Sequence, residues 1–400
     1  MRVAFFVPEV MPEGGVTLAA YRLAADLVEA GAEAEVLYCA GEPPAALAAH
    51  GRRLETAPGD PAAPRDLRAA LVDADPDLVV VGSGEIEDLL TAREVAPTLL
   101  HAHLHLGTCA DTSRYWYRLK RPCTVTAGWK CAALRPVLGC NELRETLKPA
   151  AVAEQKRLLG LLRESDLGVL CVSTDQAERY VRHGVPSGRV AALPNLGIRL
   201  SADELLRAGE SVPEEWRSVT AFIGRLSKTK GAELLPELYR ELAPEARLRI
   251  FGGGYMESHL GSLPPGVLCG HVSQEMVAGI LMWARALVFP SLWPEPGGIV
   301  GVDAQIMGVP LAAFEIGAGR HWPAAQRFNR TDVSGMAHWL DAQEPRTAAR
   351  DAEAVASAQI AYWSRVGERA HRELAAFAER GAFAASPPAP AESLMLGSAS

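Results

Sequence analysis

Arg225 and Lys230 stand five positions apart between two glycines, in the run Phe222-Ile-Gly-Arg-Leu-Ser-Lys-Thr-Lys-Gly231. Gly224 permits a tight exit from an apolar stretch that reads as a strand. The two cations can then converge on one anion. A guanidinium offers a two-pronged fork and an ammonium a mobile point charge, a combination that suits a diphosphate. A solvated basic turn is the plainer reading of this segment by itself. A second run, Phe289-Pro-Ser-Leu-Trp-Pro-Glu-Pro-Gly-Gly-Ile-Val-Gly-Val-Asp303, tips the balance. Glu295 precedes a glycine pair that opens a helix, so the free N–H groups of Gly297, Gly298 and Ile299 can hold an anion. Asp303 falls about two turns along that helix, roughly 9 Å further on. One carboxylate would grip the hydroxyls of a sugar and the other a ribose.

The elements that must carry these loops alternate. Short apolar runs at residues 3–7, 35–38, 78–81, 97–101, 167–172 and 190–193 are strands, and helical patterns fall at 18–30 and 152–164. After a polar stretch at 196–217 the alternation restarts. Strands are expected at 220–223, 248–251, 267–269, 286–289 and 311–313, and helices at 232–242, 274–285 and 299–307. A long helical pattern covers 351–379. Strand–helix alternation implies parallel, doubly wound sheets, here two α/β Rossmann-like domains. The boundaries expected are 1–196 for the first domain, 197–217 for a linker with a short helix capped at Ser201, 218–383 for the second domain, and 384–400 for a disordered tail. Two such domains facing one another place a ligand crevice at the carboxyl ends of both sheets.

Composition narrows the class. At 400 residues the chain exceeds what one core usually holds. A net charge of −8 argues against nucleic acid or an anionic membrane as partner. No apolar run is long enough to span a bilayer. The opening MRVAFFVPEV, broken by Pro8 and Glu9, reads as a buried strand and not as an export signal. Seven cysteines, an odd number, fit a reducing cytoplasm.

With these residues in hand, the chain resembles glycosyltransferase family 4, retaining enzymes of the GT-B fold. Their marks are a Gly-Arg…Lys-Gly element and a Glu-x7-Glu element. Both occur here in the expected order, within a resemblance spanning most of residues 1–345. The resemblance implies a nucleotide-diphosphate sugar donor, a separate acceptor bound by the first domain, and catalysis without a metal cofactor. It carries further residues. Glu13-Gly-Gly-Val16 is similar to the family's N-terminal glycine loop, which brings Gly14 and Gly15 under the donor phosphates. Leu193-Pro-Asn195 is similar to the segment closing the first domain. Gly253, in Phe251-Gly-Gly-Gly-Tyr255, and His271 and Val272, in Gly270-His-Val-Ser273, correspond to stretches bordering the base. Phe314-Glu-Ile-Gly-Ala-Gly319 matches a small glycine-rich loop. The chain departs from the pattern twice: Asp303 is one methylene shorter than Glu, and Gly297 replaces an aromatic residue.

Leu99-Leu-His-Ala-His-Leu-His-Leu-Gly107 would turn His101, His103 and His105 to one face if its strand persists. His103 corresponds to the family's active-site histidine, implied to contact the donor sugar. A three-histidine zinc site suits the ligand type, although strand alternation alone does not converge three imidazoles on one ion. Cys109, Cys123, Cys131 and Cys140 lie within 32 residues, in an insert at 105–140 comparable to one in some family members. Their spacing lacks the C-x2-C knuckle. Structural zinc and metal-free thiols both stay open, the latter favoured. Arg114-Tyr-Trp-Tyr-Arg-Leu-Lys-Arg121 would line an acceptor pocket or form an amphipathic surface helix.

The expected activity is retaining transfer of a sugar to a hydroxyl of a soluble acceptor, such as a sugar, cyclitol or specialised-metabolite aglycone. His103, Arg225, Lys230 and Glu295 would be its catalytic residues. Two rivals come from other classes: a GT-B nucleotide-sugar epimerase, and a non-catalytic nucleotide-sugar binding protein.

Overall fold

Unbroken apolar stretches such as Leu78–Val81 are what a strand covered on both faces requires, and the computed structural model builds both sheets from them. It describes residues 1–11, 15–140 and 149–384. The tail expected at 384–400 lies, beyond residue 384, outside the described residues. Contacts divide the chain into two units. Among the described residues, the first holds 1–114, 124–196 and 363–384; the second holds 115–123 and 197–362.

The first unit is built on a parallel sheet. Its order is Val190–Ala192, Gly168–Cys171, Thr98–Ala102, Leu78–Val81, Arg2–Phe6, Glu33–Tyr38 and Gly51–Arg53. Val79, Leu100 and Val169, all fully buried, form the centre of one core face. The second unit has its own parallel sheet, ordered Leu268–Gly270, Leu248–Phe251, Thr220–Ile223, Ala286–Phe289, Leu311–Phe314 and Ala325–Phe328. The described helices up to Ile299–Ile306 fall between the strands, as a doubly wound plan requires, and Val333–Asp341 and Ala352–Arg380 follow the last strand. None of them is long and apolar enough to cross a membrane.

One expectation is met and two need correction. The short helix expected within 197–217, capped at Ser201, is present. Ser201 and Glu204 form a complete capping box at the start of helix Ala202–Glu210. That helix packs so tightly on Gln274–Trp283 that a Cβ on Gly279 would stand 2.3 Å from the Ala208 carbonyl oxygen. The Trp283 indole N–H also donates to the Gly209 carbonyl at 2.9 Å. The closing helix Ala352–Arg380 is shared between the units, not confined to the second. From Trp363 onward it belongs to the first unit, where Phe377 packs over Gly168. Finally, residues 114–121 are not a helix. Tyr115–Trp116 pairs antiparallel with Arg121–Pro122, and Tyr115 is buried in the core of the second unit.

Candidate functional site

The chemistry-bearing loops of the second unit follow the carboxyl ends of its strands, where parallel sheets expose ligands to unpaired backbone groups. Strand Thr220–Ile223 runs into Gly224 and Arg225. Leu248–Phe251 runs into the three glycines ending at Gly254, and Leu268–Gly270 into His271 and Val272. Backbone bonds tie the first two loops: Gly224 N–H to the Phe251 oxygen at 3.0 Å, and Leu226 N–H to the Gly253 oxygen at 2.9 Å. Gly253 has open space where a Cβ would stand, and His271 is exposed.

Two loops distant in sequence are joined next. Leu292 N–H donates to the Thr229 carbonyl at 2.8 Å. Gly231 is left-handed at φ +78°, and a Cβ there would lie 2.0 Å from the Pro290 oxygen. Only glycine fits both the conformation and the approach. This contact draws Lys230 to Glu295, and the ammonium donates to Glu295 Oε2 at 2.6 Å. Trp293 Nε1 donates to the same oxygen at 2.8 Å and Ser291 Oγ at 3.2 Å. The Lys230 ammonium also lies 5.8 Å from the Phe289 ring centre and 5.9 Å from that of Trp293, within cation–π range. Glu295 is buried and Lys230 partly so. Arg225 is exposed, and among the described residues no hydrogen bond or ion pair engages its guanidinium. One loop therefore offers a free guanidinium and a second cation with a single acidic partner.

Beyond Glu295, helix Ile299–Ile306 begins at Gly298, left-handed at φ +67° and without a side-chain cap. Its opening N–H groups thus have no capping side chain, as anion binding by Gly297, Gly298 and Ile299 requires. Asp303 on that helix is buried, and its Oδ1 accepts from the Ile198 N–H at 2.7 Å. A Cβ on Gly197 would stand 1.9 Å from that oxygen. The carboxylate expected to hold a ribose therefore anchors the start of the segment entering this unit, at least through one oxygen.

In the first unit the strand ends at Ala102, before a bend at His103 and Leu104. The three histidines therefore do not alternate along one continuous strand. His101 and His103 still meet, with ring centres 4.0 Å apart. The Nε2 of His103 is buried and without a hydrogen-bond partner among the described residues. Burial lowers the His103 pKa to about 4, and burial followed by its His103 neighbour pushes His101 well below the usual imidazole range. Both rings are neutral at neutral pH. Asn195 is buried near the end of the unit, and Gly15 opens helix Gly15–Glu29. Gly14 lies outside the described residues.

Cys109, Cys123, Cys131 and Cys140 are all buried. Around them Asp111 and Arg135 form a two-pronged buried ion pair. Arg114 donates through its backbone to Cys109 Sγ at 3.3 Å and through its guanidinium to the Thr108 oxygen at 2.9 Å. Asp111 holds the Arg135 pKa above its ordinary value against the opposing effect of burial. Among the described residues, no group of three or more His, Cys, Asp or Glu side chains is placed to hold a metal ion.

Ser291 and Trp293 are the site residues that sequence reasoning passed over. Neither carries a charge, and only their closeness to Glu295 in the chain marks them.

Two family models match the sequence: the glycosyl transferase 4-like domain over residues 14–196 and glycosyl transferases group 1 over residues 208–322. No curated protein sequence matches it. Among solved structures, Anabaena Alr3699/HepE in complex with UDP and glucose superposes with a TM-score of 0.63 at 15% identity, covering 94% of this chain and 100% of that one. AviGT4, a glycosyltransferase involved in avilamycin A biosynthesis, gives 0.55 at 16% identity, covering 94% and 98%. WaaG, a glycosyltransferase involved in lipopolysaccharide biosynthesis, gives 0.55 at 14%, covering 94% and 98%. These neighbours share the GT-B fold, and the two consecutive family matches show that this chain belongs to the group 1 glycosyltransferases of the GT4 type.

Proposed function

We propose that the chain transfers a sugar, with retention of configuration, from a nucleotide-diphosphate donor to a hydroxyl of a soluble acceptor. The acceptor class is a sugar, a cyclitol or a specialised-metabolite aglycone. The observation that carries this reading is the loop holding both the unengaged Arg225 and the Lys230–Glu295 pair. Departure of a nucleoside diphosphate leaves negative charge on the leaving oxygens and positive character on the sugar ring. Arg225, Lys230 and the N–H groups opening helix Ile299–Ile306 are suited to the first, because fixed donors stabilise developing charge without reorganising. Glu295 is suited to the sugar hydroxyls. His103, a neutral imidazole with a buried open nitrogen, is suited to a sugar hydroxyl as donor or acceptor. The acceptor oxygen forms its bond to the sugar carbon on the face the diphosphate leaves, and its proton passes to a departing phosphate oxygen. No step is assigned to a metal. Seven cysteines, an odd number, fit a reducing cytoplasm as its location.

UDP and glucose bound to the Anabaena neighbour make uridine nucleotide sugars the first donors to try. The test is a panel of UDP-glucose, UDP-N-acetylglucosamine, GDP-mannose and dTDP-glucose, with and without a mixture of sugar, cyclitol and phenolic acceptors. Release of nucleoside diphosphate with formation of an α-linked product is expected. An epimerised donor, a β-linked product, or binding without turnover would each overturn the reading.

A further inference from the structure

The glycosyl-transfer reading gives Glu295 and Lys230 different tasks: the carboxylate faces the sugar and the ammonium the diphosphate. In the structure they are bonded to each other at 2.6 Å. Turning the ammonium toward a phosphate takes away part of the compensation that keeps a buried carboxylate in place, and an uncompensated buried charge is strongly disfavoured. Something else must hold Glu295.

Trp293 has the geometry for that. Its indole N–H donates to Oε2 at 2.8 Å, and Ser291 Oγ adds a longer bond of 3.2 Å to the same atom. Among the described residues no hydrogen bond is made to Oε1, so the carboxylate is fixed along one edge and presents the other. The Trp293 ring is itself buried and held by its neighbours. Leu292 beside it is pinned through its backbone to Thr229, and Pro294 follows. The same ring lies 5.9 Å from the Lys230 ammonium, with Phe289 at 5.8 Å as a second wall. One side chain therefore binds the carboxylate through its edge and attracts the ammonium through its face.

We propose that Trp293 is a positioning residue for sugar transfer. With Ser291, it keeps Glu295 oriented toward the donor sugar while Lys230 engages the diphosphate. The proposal rests on the glycosyl-transfer reading, but the two fail differently.

Trp293 also belongs to the apolar core of its unit, so the competing role is packing alone. Trp293→Phe separates the two, since it keeps an aromatic ring and removes the N–H. Turnover of the panel donor that the unaltered chain uses should fall about tenfold to a hundredfold, the loss typical of one hydrogen bond to a charged group. Affinity for the matching nucleoside diphosphate should stay within about threefold, and the thermal midpoint should barely move. Ser291→Ala removes the longer bond without touching the core, and should lower kcat about twofold to tenfold. It carries the test by itself if the Phe variant loses thermal stability. Unchanged kcat in the folded variants overturns the proposal, as does a loss of nucleoside diphosphate affinity in proportion to activity. No turnover of any panel donor by the unaltered chain overturns the glycosyl-transfer reading instead.

Discussion

The two units handle charge in opposite ways. In the second, the candidate groups are ionic. Lys230 and Glu295 are paired at 2.6 Å, and Arg225 stands exposed in the same loop. In the first, the candidate group is a neutral imidazole, His103, held beside His101 and deprived of its proton by burial. A charged site binds an anion strongly and announces itself in residue type. A neutral buried site recognises a hydroxyl and has no such signature. On the proposed reading, phosphate chemistry falls to the second unit and an uncharged sugar contact to the first.

Removing the cations of the second unit should give the largest effects. Arg225→Ala and Lys230→Ala should each lower kcat/KM by about 2–4 kcal/mol of transition-state stabilisation, the range for lost electrostatic donors. They should differ in stability. Arg225 is exposed and its guanidinium is unpaired among the described residues, so its loss should leave the thermal midpoint in place. Lys230→Ala strips a buried carboxylate of the cationic partner it has among the described residues, and the midpoint should fall. Melting curves beside steady-state rates check both statements. Near-normal rates in both variants would remove the diphosphate site from this loop.

The first unit should respond more weakly and differently to pH. His103→Ala should reduce turnover about tenfold to a hundredfold, as for one hydrogen bond or one acid–base group. Nucleoside diphosphate affinity should be unchanged, because the imidazole is assigned to the sugar. The folded pKa of His103 lies near 4, below its unfolded value near 6.5. Between those values the unfolded chain binds more protons, so stability falls as pH drops through this window. His183, also lowered to about 4 chiefly by burial, adds to the same trend. Denaturant midpoints from pH 7 to pH 4 should show that decline, and His103→Phe should flatten part of it. A pH-independent midpoint would mean that the imidazole is solvated.

Much of this was legible because each domain's sheet is built from short apolar runs between helical patterns, and because Gly231 and Gly298 carry backbone demands that only glycine meets. The segment 114–121 was not legible. Its alternation of aromatic and basic residues suits a helix, a hairpin or a pocket wall equally, and burial of Tyr115 in a distant core decided it. Nor was the sharing of helix Ala352–Arg380, since amphipathic periodicity shows that a face is buried but not against what. The role of Trp293 escaped for a related reason: an indole reads as core until its N–H is seen to have a partner.

Asp303 tests whether the ionic character of the second unit extends to its ribose contact, with an intermediate effect. Asp303→Ala leaves the Ile198 N–H without its acceptor, which should cost about 1–3 kcal/mol of stability. If Asp303 also holds the ribose, nucleoside diphosphate affinity should fall as well. Calorimetric titration on the folded variant separates the outcomes, and unchanged affinity removes the ribose assignment.

The smallest effect concerns Cys109, Cys123, Cys131 and Cys140, where the contrast between charged and neutral sites meets a segment with a third solution to test, a metal. Four thiolates on one zinc would each lie about 2.3 Å from the ion, and the fold around them would depend on it. The spacing of Cys109, Cys123, Cys131 and Cys140 lacks the close pair that nucleates such sites. The segment has another device to organise it: the buried Asp111–Arg135 pair, with Arg114 bonded to the Thr108 oxygen and to Cys109. An ion pair with that geometry fixes a loop without a metal, and breaking it by removing one partner is strongly destabilising. Protein purified without chelator or affinity metal should therefore contain far less than one zinc per chain, and chelation should leave both activity and the thermal midpoint unchanged. Asp111→Asn should instead lower the midpoint, because it leaves Arg135 charged and buried. One zinc per chain, with chelation loosening this segment before the rest, would make the metal the organising element and reduce the ion pair to an accessory.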